Sequence, residues 1–296
     1  MAKRQTSKKR QPSYKEISIM AAFQAMQSVS PRLASLFAFQ LWFHPGRKSA
    51  QKIRVFAPEG VSARQLTINK KNVRYWTAGN GASIFLMHGW ASCGNQMGEI
   101  GQALLNQGYK IIWMDAPAHG VSSGWQTSLF EISESILAVQ NREGHFDTVL
   151  AHSFGVPSCL YALQQGLVAK KIIAISAPAT FEGLVEKFCK ILKANQKTQV
   201  YLLKRVNDFL GEITMSGISA QFLAKGLTHK SLVIHDKHDR FVRSSEGRAV
   251  QENLQNSRFL LTEKLGHNKV LSDPETVRHC VDFIQEGTDT DELMSA

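Results

Sequence analysis

Cysteine is scarce in this chain of 296 residues: Cys93, Cys159, Cys189 and Cys280 stand far apart, each among apolar neighbours. That scatter excludes a thiolate metal cluster and predicts buried free thiols in a reducing, cytoplasmic compartment rather than a disulfide framework. Acid is scarce at the front, where residues 1 to 50 hold nine Lys or Arg against Glu16 alone. Most of the formal charge of +11 therefore sits there, and the 26 basic and 23 acidic residues that follow nearly balance, which excludes a nucleic-acid-binding face on the body. An unbroken hydrophobic run is also lacking. Ile17 to Phe43 is almost uncharged, but Gln24, Gln27, Ser28, Ser30, Pro31 and Gln40 interrupt it, which argues against a spanning helix. Glu16 beside the apolar stretch and the want of a cleavage site argue against a secretory signal. No internal repeat is visible.

Residues 1 to 16, with Lys3, Arg4, Lys8, Lys9 and Arg10 among Gln, Ser and Pro, cannot bury enough apolar area to order themselves, so a disordered basic tail is expected. Residues 17 to 49 read as two short helices broken at Ser30-Pro31 and packed on the body, with peripheral membrane contact as the second reading. From residue 50 short apolar runs alternate with helical patterns. Lys52 to Ala57, Asn72 to Ala78, Ser83 to His88, Lys110 to Asp115, Thr148 to His152, Lys171 to Ser176, Ser231 to His235 and Arg258 to Glu263 are the expected strands. Runs such as Ile84-Phe85-Leu86-Met87 and Ile111-Ile112-Trp113-Met114 lack alternation, which fits parallel strands covered by helices on both faces. Helices are expected over Gln96 to Leu105, Leu129 to Val139, Phe154 to Gln165 and Glu246 to Leu254. Residues 50 to 176 and 231 to 288 thus form an α/β core, with a flexible tail over 289 to 296. Residues 177 to 230 are too long for a simple crossover and read as a helical cap. Its apolar stripe is Phe181, Leu184, Val185, Phe188, Ile191 and Leu192.

The chemistry concentrates where strands end. Ala151-His152-Ser153-Phe154-Gly155 puts a serine between a strand and a helix among residues small enough for a sharp turn, leaving the Phe154 amide at a helix start. A serine hydroxyl is a weak nucleophile that needs an imidazole held in one tautomer by a carboxylate. Both follow in order: Asp239 in the loop after the seventh strand and His267, next to Gly266, after the eighth. Asp236 is the rival for the acid, with His235 and His238 read as surface groups or groups behind it. A second oxyanion donor is expected from the Trp90 amide, which follows His88-Gly89 after the third strand. His88, Asp115 and His119 read as loop-bracing groups, and His152 crowds the same turn.

Taken together, His88-Gly89-Trp90, the Asp115-Ala116-Pro117-Ala118-His119-Gly120-Val121-Ser122 loop, the Ser153 turn, Asp239 and Gly266-His267 resemble the landmarks of the α/β-hydrolase superfamily across residues 50 to 286. The chain order Ser, Asp, His is that of these hydrolases. The resemblance implies a mostly parallel eight-stranded sheet, a cap after strand six, and hydrolysis without metal or organic cofactor. The expected activity is cleavage of a small ester carrying an apolar acyl or aromatic group. A thioesterase or acyltransferase with the same three residues, and an idle hydrolase fold used for binding, are the alternatives.

Overall fold

The computed structural model describes residues 14–46 and 55–286. The expected basic and C-terminal tails, apart from α1's first turn, lie outside those residues, as does the front of the first expected strand. Two compact units account for the chain: a helical one of residues 1–42 and 185–211, and a sheet one of residues 43–184 and 212–296.

The sheet unit holds eight strands: β1 (Ser62–Ile68), β2 (Lys71–Ala78), β3 (Ser83–Met87), β4 (Lys110–Met114), β5 (Phe146–His152), β6 (Ala169–Ile175), β7 (Lys230–Asp236) and β8 (Ser257–Thr262). Their spatial order is β1-β2-β4-β3-β5-β6-β7-β8; β2 pairs antiparallel with both neighbours, and all other pairs are parallel. The central strands are apolar throughout because both faces are covered. Ile84, Leu86, Trp113, Leu150, Ile173 and Ile234 pack against α3 (Gly98–Asn106) and α10 (Pro274–Gln285) on one face. On the other, α4 (Leu129–Glu143), α5 (Gly155–Gln164), α8 (Ala220–Leu223) and α9 (Ser244–Gln251) lie in sequence. Each fully buried Ile or Leu contributes about 1.5–3 kcal/mol of transfer free energy, and this two-sided core is what holds the strand ends in place.

The first expected strand is corrected. Val55–Ala57 is not in the sheet and Val55 is exposed; β1 begins instead at Ser62. It is an edge strand that buries only Leu66, so it lacks the apolar run that marks the others. Its hairpin to β2 turns at Asn69 and Lys70, both with positive φ (48° and 64°), the backbone that a tight two-residue turn demands.

The interval between β6 and β7 divides: residues up to 184 and from 212 group with the sheet, and those between them with the N-terminal helices. The helical unit contains α1 (Tyr14–Val29), α2 (Pro31–Trp42), most of α6 (Phe181–Leu192) and α7 (Gln196–Leu210). Pro31 takes the first helical position of α2, where no amide partner is needed, and the Ser30 hydroxyl accepts the Leu33 N–H at 3.3 Å. Gln24 and Gln27, which argue against a membrane span, instead satisfy the end of α6. Their amides donate to the Leu192 carbonyl at 2.7 Å and the Lys193 carbonyl at 3.1 Å, and the Gln27 carbonyl accepts from the Asn195 N–H. Arg205 donates to the Ser35 hydroxyl, and Phe39–Phe209 and Trp42–Phe188 meet edge to face. Ile191, expected within the buried stripe, is 66% exposed because it faces outward in the helix's final turn. No helix among the described residues is long and apolar enough to cross a membrane.

Candidate active site

Ser153 occupies the turn between β5 and α5 with φ at +53°, a left-handed backbone that costs a non-glycine residue about 1–2 kcal/mol. The strain is held by its surroundings: the Ser153 N–H donates to the Ile175 carbonyl of β6, and the Val156 N–H donates to the Ser153 carbonyl. Close packing completes the turn. A Cβ on Gly155 would stand 2.6 Å from the His88 carbonyl oxygen, and one on Gly89 would stand 2.9 Å from the Ser153 Cβ, so the two loops approach only because both positions are glycine. Ala151, two residues before Ser153, is buried without disturbing the turn.

Three of the expected residues come together in one line. His267 Nε2 lies 3.0 Å from Ser153 Oγ, and His267 Nδ1 lies 2.7 Å from Asp239 Oδ2. The other Asp239 oxygen accepts the Phe241 and Val242 N–H groups at 2.8 and 3.0 Å. Burial pushes the Asp239 carboxyl up, but the hydrogen bond and charge of His267 and the two amides outweigh it and hold the pKa below the ordinary carboxylate value. His235 Nε2 donates to the Val242 carbonyl and lies 3.6 Å from Asp239 Oδ2, so it backs the acid as a fully buried group rather than a surface one.

Asp236 is occupied otherwise. As the last residue of β7 it accepts the His238 and Gly266 N–H groups on one oxygen, and the Leu265 N–H and Thr262 hydroxyl on the other. It therefore clamps the His267 loop to the end of β7 and has no contact with the imidazole to offer. Asp236→Ala would strand these four donors, and we expect a loss of about 2–4 kcal/mol, seen as a lowered denaturation midpoint. Any hydrolytic activity should fall with it, because the loop carrying His267 is released.

Three further histidines near the serine, His88, His119 and His152, are braces, each held in one neutral tautomer. His88 Nδ1 donates to the Gly89 carbonyl while its Nε2 accepts the Ala116 N–H; His119 Nδ1 donates to the Pro117 carbonyl while its Nε2 accepts the Ala91 N–H. His152 Nε2 donates to the His267 carbonyl at 2.9 Å, leaving its Nδ1 buried and unpartnered. Burial pushes the pKa of His88 down to about 4 and those of His119 and His152 to about 3. Asp115 accepts the Gly94 and Val121 N–H groups and so ties the loop after β3, which carries Trp90, to the loop after β4. The Trp90 and Phe154 amides, expected as oxyanion donors, meet no acceptor among the described residues. Their rings meet edge to face at 5.1 Å beside the serine. Sequence reasoning did not single out Phe241, two residues past Asp239, whose ring lies 5.4 Å from that of His267 while 66% exposed.

Strand order, the strained serine turn and the placement of the acid and imidazole loops after β7 and β8 define the α/β-hydrolase fold, and the chain has it. No protein-family model matches the chain. Human protein ABHD8 is 27% identical over 209 residues, covering 57% of this chain and 47% of that one, so the chain spans about half the length of the curated relatives it matches. Among solved structures, an esterase from Exiguobacterium antarcticum superposes with a TM-score of 0.61 at 16% identity, covering 76% of this chain and all of that one. A membrane phospholipase A described as a bacterial virulence factor superposes at 0.59 and 12% identity, covering 93% and 94%.

Proposed function

We propose that the protein is a serine hydrolase that cleaves a carboxylic ester through an acyl-enzyme on Ser153. The observation that carries this reading is the continuous line Asp239–His267–Ser153, with distances of 2.7 and 3.0 Å, at a serine on a left-handed turn. His267 Nε2 takes the hydroxyl proton as Ser153 Oγ bonds to the ester carbon, and returns it to the leaving alkoxide as the carbon–oxygen bond breaks. Water then adds to the acyl carbon, gives its proton to His267 and releases the acid as Ser153 recovers that proton. The free Trp90 and Phe154 amides serve as donors to the oxyanion of each tetrahedral intermediate.

The rings of Trp90, Phe154 and Phe241 around the serine and imidazole favour a substrate with an apolar acyl or aromatic group. A lipid ester is the second reading, favoured by the phospholipase match, which extends over 93% of the chain where the esterase match covers 76%. The test is incubation with a fluorophosphonate probe followed by peptide mass mapping, beside panels of nitrophenyl esters and acyl thioesters of increasing length. We expect a single adduct on Ser153 and turnover of esters. An unlabelled native protein would leave only the idle-fold reading, and thioesters turned over to the exclusion of esters would move the activity to a thioesterase.

A further inference from the structure

We propose that the helical unit docks on an anionic lipid bilayer, laying α1 and α2 in the plane of the interface. This inference concerns that unit alone and stands apart from the acyl-transfer reading. Its first support is charge. Residues 1–42 and 185–211 contain 13 Lys or Arg against 3 Asp or Glu, a net of +10 out of +11 for the chain, whereas the sheet unit holds 22 against 21. A unit of under one quarter of the residues thus carries nearly all the positive field.

Shape and composition narrow the partner. Along α1 and α2 the outward positions Ile17, Ala21, Ala25, Val29, Leu33 and Leu36 recur at three- and four-residue spacing, and Val29 is 84% and Leu33 54% exposed. A helix in a water-soluble unit normally presents its polar face outward; here the solvent stripe is aliphatic. Between Glu16 and Glu59 the chain has no acid to repel a negative surface. The turn after α6, whose backbone is held by Gln24 and Gln27, brings a second set beside α1: exposed Lys190, Lys193 and Lys197, with Ile191 among them. None of these three lysines meets a carboxylate among the described residues. Their stems can lie along hydrocarbon while the ammonium groups reach lipid phosphates.

A nucleic acid would use the lysines but leave the aliphatic stripe in water. A bilayer uses both. The helices are about 24 and 18 Å long, suited to lying at the headgroup boundary and too short to cross it.

The test is co-sedimentation of the full chain, and of its Ser153→Ala variant, with vesicles of phosphatidylcholine or of phosphatidylcholine and phosphatidylglycerol at roughly two to one. Both proteins should bind the anionic vesicles at least tenfold more tightly than the neutral ones, and lose that preference between about 0.05 and 0.5 M salt. Combining Lys190→Glu, Lys193→Glu and Lys197→Glu should weaken binding by at least tenfold. Val29→Asp with Leu33→Asp should weaken it similarly with an unchanged melting temperature, since both side chains are exposed. Three results would overturn the proposal: equal or no binding to the two vesicles; tighter binding to an oligonucleotide than to anionic vesicles; or a native dimer that dissociates in the Val29/Leu33 variant, which would assign the stripe to a second copy of the chain.

Discussion

Ser153→Ala is expected to lower kcat towards any ester the protein turns over by roughly 10⁶, with little change in melting temperature. The substitution keeps the Cβ, so the left-handed turn at φ +53° and its hydrogen bond to Ile175 persist, and only the hydroxyl facing His267 disappears. Asp239→Asn makes the companion measurement. An asparagine can still accept the Phe241 and Val242 amides on one oxygen, so the loop should survive. Its NH₂ would then face His267 Nδ1, where Asp239 Oδ2 now stands at 2.7 Å. The imidazole would have to present a lone pair there and carry its proton on Nε2, facing Ser153 as a donor that cannot take the hydroxyl proton. A loss on the order of 10⁴ in kcat without loss of stability follows. Comparable kcat in native and Ser153→Ala protein would refute the nucleophile, and an unaffected Asp239→Asn would refute the tautomer argument. Asp236→Ala, by contrast, should lower stability and rate together.

That contrast marks where the sequence stops being legible. Both aspartates follow the same strand within three residues, and composition cannot separate them. Backbone direction does: at the end of β7 Asp236 points to four donors, two of them amides of the loop that carries His267, while the turn after it brings Asp239 under the imidazole. The central parallel strands were readable because burial on two faces leaves an unbroken apolar run, and Trp90, Ser153 and Asp239 were readable because each sits just past such a run; His267 instead follows the half-exposed β8. β1 was not, since an edge strand that buries only Leu66 has no periodic signal, and its positive-φ turn is made by Asn69 and Lys70 rather than glycine. Gln24 and Gln27 carry a similar lesson. As polar residues in an apolar stretch they disfavour a membrane span, but their use as partners for the carbonyls ending α6 depends on a contact some 168 residues away in sequence.

Acid should destabilise the fold well above the usual carboxylate range. An unfolded histidine takes up its proton near pH 6.5, whereas burial holds His88 to about 4 and His119 and His152 to about 3 in the folded chain. Between those values the unfolded state binds protons that the folded state refuses, so stability rises with pH across the window and is lost as pH falls from about 6.5 towards 4. Each site contributes up to about 1.4 kcal/mol per pH unit, and the three together up to about 4 kcal/mol per unit once the pH is well below 6.5. Asp115 acts in the opposite sense, because burial raises its pKa, while Asp236 and Asp239, held below their ordinary values, add to the loss at lower pH. Denaturant midpoints measured from pH 7.5 to 5 should fall steeply, and His152→Phe should flatten the slope by up to about 1.4 kcal/mol per pH unit. A midpoint independent of pH would mean that these rings are not held neutral. The same protons bear on the site: His119 accepts the Ala91 N–H next to the Trp90 amide, and a protonated Nε2 would set donor against donor there. In the folded chain that happens only near pH 3, so between about pH 6.5 and 4 activity is expected to fall only with the folded population.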